Sequence, residues 1–160
     1  MRALGNLTRV VNFSTEDTSI HVTTVNCTNP LGKGTLLERV VQALVSCVTT
    51  GNVKVQWNVC HALGNLFLNK SIPIHAMPWS TSVYSIMLLL LRDSKNFKIQ
   101  IQAASTLAVL DKRRDYGQSF SDIVQALVLS QESLNSSELA DPSTYKYMVA
   151  LNEQMHVCMY

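Results

Sequence analysis

From Val53 to Leu68 the apolar residues Val55, Val59, Ala62, Leu63 and Leu66 fall at i, i+4, i+7, i+8 and i+11, the spacing of one face of an α-helix. The same face returns as Ile99, Ala103, Thr106, Leu107 and Leu110, 44 positions further on. Lys54 to Leu63 aligns with Lys98 to Leu107 at that shift, and apolar or small residues match at every inward position. A period of 44 lies in the range of about 40–47 residues expected of paired-helix repeats. A second echo joins Ala3-Leu4-Gly5-Asn6-Leu7 to Ala62-Leu63-Gly64-Asn65-Leu66. A third joins Val41-Gln42-Ala43-Leu44-Val45 to Val124-Gln125-Ala126-Leu127-Val128, so two types of segment alternate. Leu36–Val48, Val83–Leu91 and Phe120–Leu129 supply the first helix of each pair. The middle one is apolar nearly all round, which predicts the most buried helix of the chain.

Short polar breaks, Thr49 to Asn52 and Arg92 to Asn96, read as tight links inside a pair, the first with a glycine of the kind that helix ends favour. Longer breaks, Asn69 to Pro78 and Asp111 to Ser119, read as links between pairs. The predicted organisation is a terminal helix of an incomplete repeat at 1–12, a polar flexible loop at 13–34, and one continuous domain over 35–160. That domain holds three helix pairs at about 35–68, 80–110 and 119–157. The second helix of the last pair is read from Tyr145 to Met159, after the Asp141-Pro142-Ser143 break.

The recurring pattern apolar-Gln-x-x-small-x-x-small-Leu-x-x-apolar resembles the HEAT and armadillo repeats. The Ala-Leu-Gly-Asn-Leu ending is similar to an armadillo third helix, and Val53–Ser80 with Asp115 to Phe120 resembles the C-terminal part of a HEAT-repeat protein. The fold this implies is all-α, a right-handed α-solenoid of stacked antiparallel helix pairs. Gln56 and Gln100 stand where HEAT repeats often carry arginine, a departure that removes the Asp–Arg ladder of that family. The resemblance also implies a fragment of a longer solenoid.

Composition narrows the function. A hydrophobic fraction of 47% fits a chain that buries a core, and 15% charged residues with a net charge of +2 do not favour phosphate neutralisation as its purpose. Met1 to Arg9 contains no sustained apolar stretch of the secretory kind, so the expected location is intracellular, cytoplasmic or nuclear. On that reading the Asn-x-Ser/Thr sequons are chance. Cys27, Cys47, Cys60 and Cys158 are scattered without a Cys-x-x-Cys pair and read as reduced thiols. Cys60 and His61 point about 100° apart on a helix and cannot close on one metal ion. Gly32-Lys33-Gly34-Thr35 lacks the earlier glycine and the leading strand of a phosphate loop. No cofactor, metal ion, small-molecule substrate or membrane is expected, and no residue is assigned to catalysis.

The sequence instead points to a non-enzymatic scaffold that binds a protein or peptide on the concave face, lined in solenoids by the second helices. Trp57, His61 and Asn65 form an i, i+4, i+8 stripe opposite the core stripe, continued by Ile101 and Ser105 on the next second helix and by Asn6 on the terminal one. The resemblance places His61 and Asn65 where armadillo repeats set a tryptophan and an asparagine against an extended peptide. Two alternatives stand beside this reading: a nucleic-acid-binding edge made of Lys95, Lys98, Lys112, Arg113 and Arg114, and a structural spacer with no site of its own.

Overall fold

The computed structural model describes residues 2–12, 36–49, 52–136 and 142–159. The 13–34 connection and the Gly32–Thr35 segment therefore lie outside the described residues. Those residues form seven α-helices and no strand, so the chain is all-α: α1 Arg2–Val10, α2 Leu36–Val48, α3 Val53–Phe67, α4 Ser80–Asp93, α5 Phe97–Leu107, α6 Phe120–Ser136 and α7 Pro142–Met159. The last helix starts three residues before Tyr145, because proline is well suited to the first turn, where its missing N–H costs nothing. The break between α5 and α6 is itself ordered, as a 3₁₀ segment over Arg113–Ser119.

The helices pack by a simple rule. In the first tier α2, α4 and α6 each lie against the helix that follows them, and α6 also touches α4. In the second, α1, α3, α5 and α7 pack each against the next in chain order. The apolar stripes read from sequence face inward between the tiers, where Leu37, Leu44, Leu63, Leu66, Met87 and Ile99 have no exposed surface. Each such side chain contributes about 1.5–3 kcal/mol of transfer free energy.

The most buried helix is α3, not the Val83–Leu91 segment of α4. Cys60 and six successive residues from Ala62 to Phe67 are buried in α3, which is covered by α1, α2 and α5. The α4 helix belongs to the first tier and packs against α5 and α6, so Leu89 is 51% exposed and Ile86 and Leu88 are half-buried despite their hydropathy.

Polar atoms repeat with the same 44-residue period as the core. Asn52 caps α3 by accepting from the Lys54 and Val55 N–H groups at 3.0 and 3.4 Å, and Asn96 caps α5 by accepting from Lys98 N–H at 3.0 Å. Gln56 Nε2 donates to the Val48 carbonyl at 3.2 Å and Gln100 Nε2 to the Leu91 carbonyl at 3.0 Å. Each glutamine thus satisfies a carbonyl that the end of the preceding helix leaves without a partner.

The second-tier helices are also cross-bonded. Thr106 Oγ1 donates to the Cys60 carbonyl at 2.9 Å, and Cys158 Sγ to the Ala104 carbonyl at 3.1 Å, Ala104 being the repeat counterpart of Cys60. At the other end, Asn69 Nδ2 donates to the Thr8 and Val11 carbonyls at 2.7 and 2.8 Å, closing the C-terminus of α1. No helix among the described residues takes up against α1 the place α2 takes against α3. Leu7 is accordingly 56% exposed, while its counterpart Leu66 is fully buried.

Candidate functional site

Three of the stripe residues singled out from sequence sit on α3. The ring of His61 lies parallel to that of Trp57, with centroids 5.6 Å apart and an interplanar angle of 6°, an offset stack one helical turn long. Both rings are half-buried. Asn65 continues the stripe in sequence but not in exposure: it is 7% exposed, and its Nδ2 donates to Asn6 Oδ1 at 3.2 Å. The two asparagines of the repeated Ala-Leu-Gly-Asn-Leu motif therefore bond to each other across the α1–α3 contact. Ile101 and Ser105 occupy on α5 the positions that Trp57 and His61 occupy on α3, and both are half-buried. The structure thus brings Trp57 to His61 and Asn65 to Asn6, and leaves Ile101 and Ser105 one helix further on.

A cleft of about 580 Å³ opens beside Trp57, lined by Val53, Lys54, Trp57, Asn58, Asn96 and Lys98 at the adjoining N-termini of α3 and α5. The sequence signal for it was the recurrence of Asn-x-Lys at Asn52-Val53-Lys54 and Asn96-Phe97-Lys98, which the reading by hydrophobic stripes passed over. Lys98 Nζ also lies 5.7 Å from the Tyr147 ring centroid of α7.

The five cations read as one edge are separated. Lys95 and Lys98 stand at the N-terminal end of α5, and Lys112, Arg113 and Arg114 beyond its C-terminal end; a helix of 11 residues sets these groups about 16 Å apart. Arg113 stacks on the Phe120 ring at 4.6 Å, and Arg114 Nε is 3.6 Å from Asp115 Oδ1.

The buried titratable groups sit in the packing. Burial pushes the Cys60 and Cys158 thiols up to about 12, and burial, with Cys158 nearby, pushes the Tyr116 hydroxyl up to about 12 as well. Tyr84 is raised further, first by burial and then by Tyr116. At neutral pH Cys60 is a protonated thiol in an apolar setting, without the thiolate character a nucleophile needs.

Because these groups ionise later in the folded chain than in the unfolded one, their contribution to stability is complete below about pH 9. It is lost as pH rises from the ordinary thiol value of 9.0 towards 12. Urea unfolding is expected to give a level free energy between about pH 7 and 9 and a falling one above it. A flat profile through about pH 11 would contradict the burial of these groups.

Among the described residues no three His, Cys, Asp or Glu side chains cluster as a metal ion requires, and no helix is long and apolar enough to cross a membrane. No protein-family model matches the chain, and no solved structure matches it. An uncharacterised protein of Dictyostelium discoideum is 31% identical over 140 residues, a stretch covering 78% of this chain and 9% of that protein. The chain thus corresponds to under a tenth of the length of this curated relative.

Proposed function

We propose that the chain is a segment of a right-handed HEAT/armadillo-type α-solenoid and works as a non-enzymatic scaffold inside the cell. It binds a peptide or helix of another protein on the concave face, which the second-tier helices line. The observation that carries the binding role is the Trp57–His61 stack, a half-buried aromatic pair on the tier that in a solenoid lines the concave surface. The solenoid reading draws support from the recurrence of the core stripe, the asparagine caps and the glutamines at 44 residues and from the order in which the helices pack. The separation of Lys95 and Lys98 from Lys112 to Arg114 argues against a continuous nucleic-acid edge, since DNA binders make about six to ten phosphate contacts.

The test compares proteins captured from lysate by the wild-type chain, by a Trp57→Ala, His61→Ala double variant, and by Glu132→Lys on exposed α6 surface as reference. Circular dichroism establishes that all three are equally helical. The expected outcome is a set of proteins held by the wild type and by Glu132→Lys and lost from the double variant. An unchanged set on the double variant would remove the reading.

A further inference from the structure

We infer that the partner of this surface is an acidic peptide segment, taken in extended form across the cleft between the N-termini of α3 and α5. The inference rests on the binding reading above and deepens it. Lys54 and Lys98 are exposed, occupy equivalent positions 44 residues apart, and both line the cleft, with the indole of Trp57 beside them. Among the described residues no carboxylate lines it, and neither α3 nor α5 has an acidic residue in its first turn, so no described acid meets the partial positive charge of the two helix ends there. A neighbouring acid, Asp93 in the adjoining cleft, is held by the Arg92 guanidinium at 2.6 and 2.9 Å, while Lys95 in that cleft adds another cation.

The amides of the cleft are already engaged. Asn58 Nδ2 donates to the Lys54 carbonyl at 2.8 Å, and Asn96 Oδ1 caps α5. What the cleft offers an incoming chain is thus an aromatic surface and two ammonium groups, that of Lys98 also lying 5.7 Å from the Tyr147 ring centroid. Packed helices stand about 8–10 Å apart and alternate residues of an extended peptide about 7 Å, a difference that long lysine side chains can span, so two carboxylates at i and i+2 can reach lysines on adjacent helices. The next residue on the same face of the extended peptide, at i−2 or i+4, meets Trp57 if it is apolar. Complementarity of this kind sets orientation and selects against basic partners.

The test uses a fluorescein-labelled peptide of about ten residues in which Glu, Glu and Leu take successive alternate positions with Ser between them, the same peptide with Lys for Glu, and a single-stranded RNA of about 20 nucleotides. Binding is read by anisotropy at about 50 and 200 mM salt. The expected result is binding of the Glu peptide, weakened about tenfold by Lys54→Glu with Lys98→Glu, weakened less by the Gln pair, and unaffected by Lys112→Glu with Arg113→Glu. Absence of binding, indifference to both lysine variants, or tighter binding of the RNA would overturn the inference. Preference for the Lys peptide, still lost in Trp57→Ala, would overturn the acidic partner and leave the binding surface standing. The surface itself fails only with the capture experiment on Trp57 and His61.

Discussion

Tyr84→Ala is expected to lower the unfolding free energy by about 3–5 kcal/mol, and Tyr84→Phe by about 1 kcal/mol. Tyr84 is 2% exposed, and its ring lies between those of Phe67 and Tyr116, at centroid distances of 5.7 and 5.9 Å. Its hydroxyl donates to the Asp115 carbonyl at 2.8 Å. Tyr116 in turn donates to the Leu107 and Leu110 carbonyls and packs on Phe120 at 5.9 Å. Removing the ring opens a cavity where α3, α4 and the 3₁₀ segment meet, whereas removing the hydroxyl alone leaves one carbonyl without its partner. Urea unfolding followed at the helical dichroism band separates the two. Equal losses for both substitutions would mean that the hydrogen bond, not the ring, holds the segment.

Gly5→Val is expected to free α1 while leaving α2 to α7 folded. A Cβ at position 5 would stand 2.5 Å from Ala62 Cα and 2.7 Å from Ala62 Cβ, which the contact cannot absorb without moving the helices apart. A helix of nine residues has too few turns to persist undocked. Hydrogen exchange should lose protection over residues 2–12 and keep it over α3 and α5, with a cost of about 1–3 kcal/mol to overall stability. Asn69→Ala, which removes both bonds to the Thr8 and Val11 carbonyls, should act through the same undocking. The two losses should therefore fall well short of additive in the double variant. Full additivity would show that Gly5 and Asn69 hold different things.

The apolar periodicity was enough to place the helices and to give the faces of α3 and α5, because buried side chains in a two-tier packing obey the 3.6-residue period directly. It misjudged α4, since hydropathy reports what a helix could bury and not how many neighbours cover it. It missed the 3₁₀ segment, whose order comes from Tyr84 and Tyr116 reaching carbonyls distant from local pattern. The site was half legible. Trp57 and His61 stand one turn apart and meet by helix geometry alone, but Asn65 faces a partner 59 residues away in sequence, which no spacing rule anticipates. Asn52 and Asn96, Gln56 and Gln100 were visible as a repeated polar pattern. The repeat pattern included the glutamines, but the carbonyls they reach lie on the preceding helix, which the pattern does not show.

The bonds from Thr106 to the Cys60 carbonyl and from Cys158 to the Ala104 carbonyl join side chains to backbone, not to other side chains. A backbone carbonyl inside a helix has little freedom to follow a partner that slides, so each bond sets the height of one second-tier helix against the next. A motion that keeps both bonds is then expected to pivot about that tier, with α2, α4 and α6 spreading or closing like the leaves of a book held at its spine. The α3, α5 and α7 backbones that these bonds join, among them the helix carrying Trp57, are then expected to keep their relative heights in any such motion.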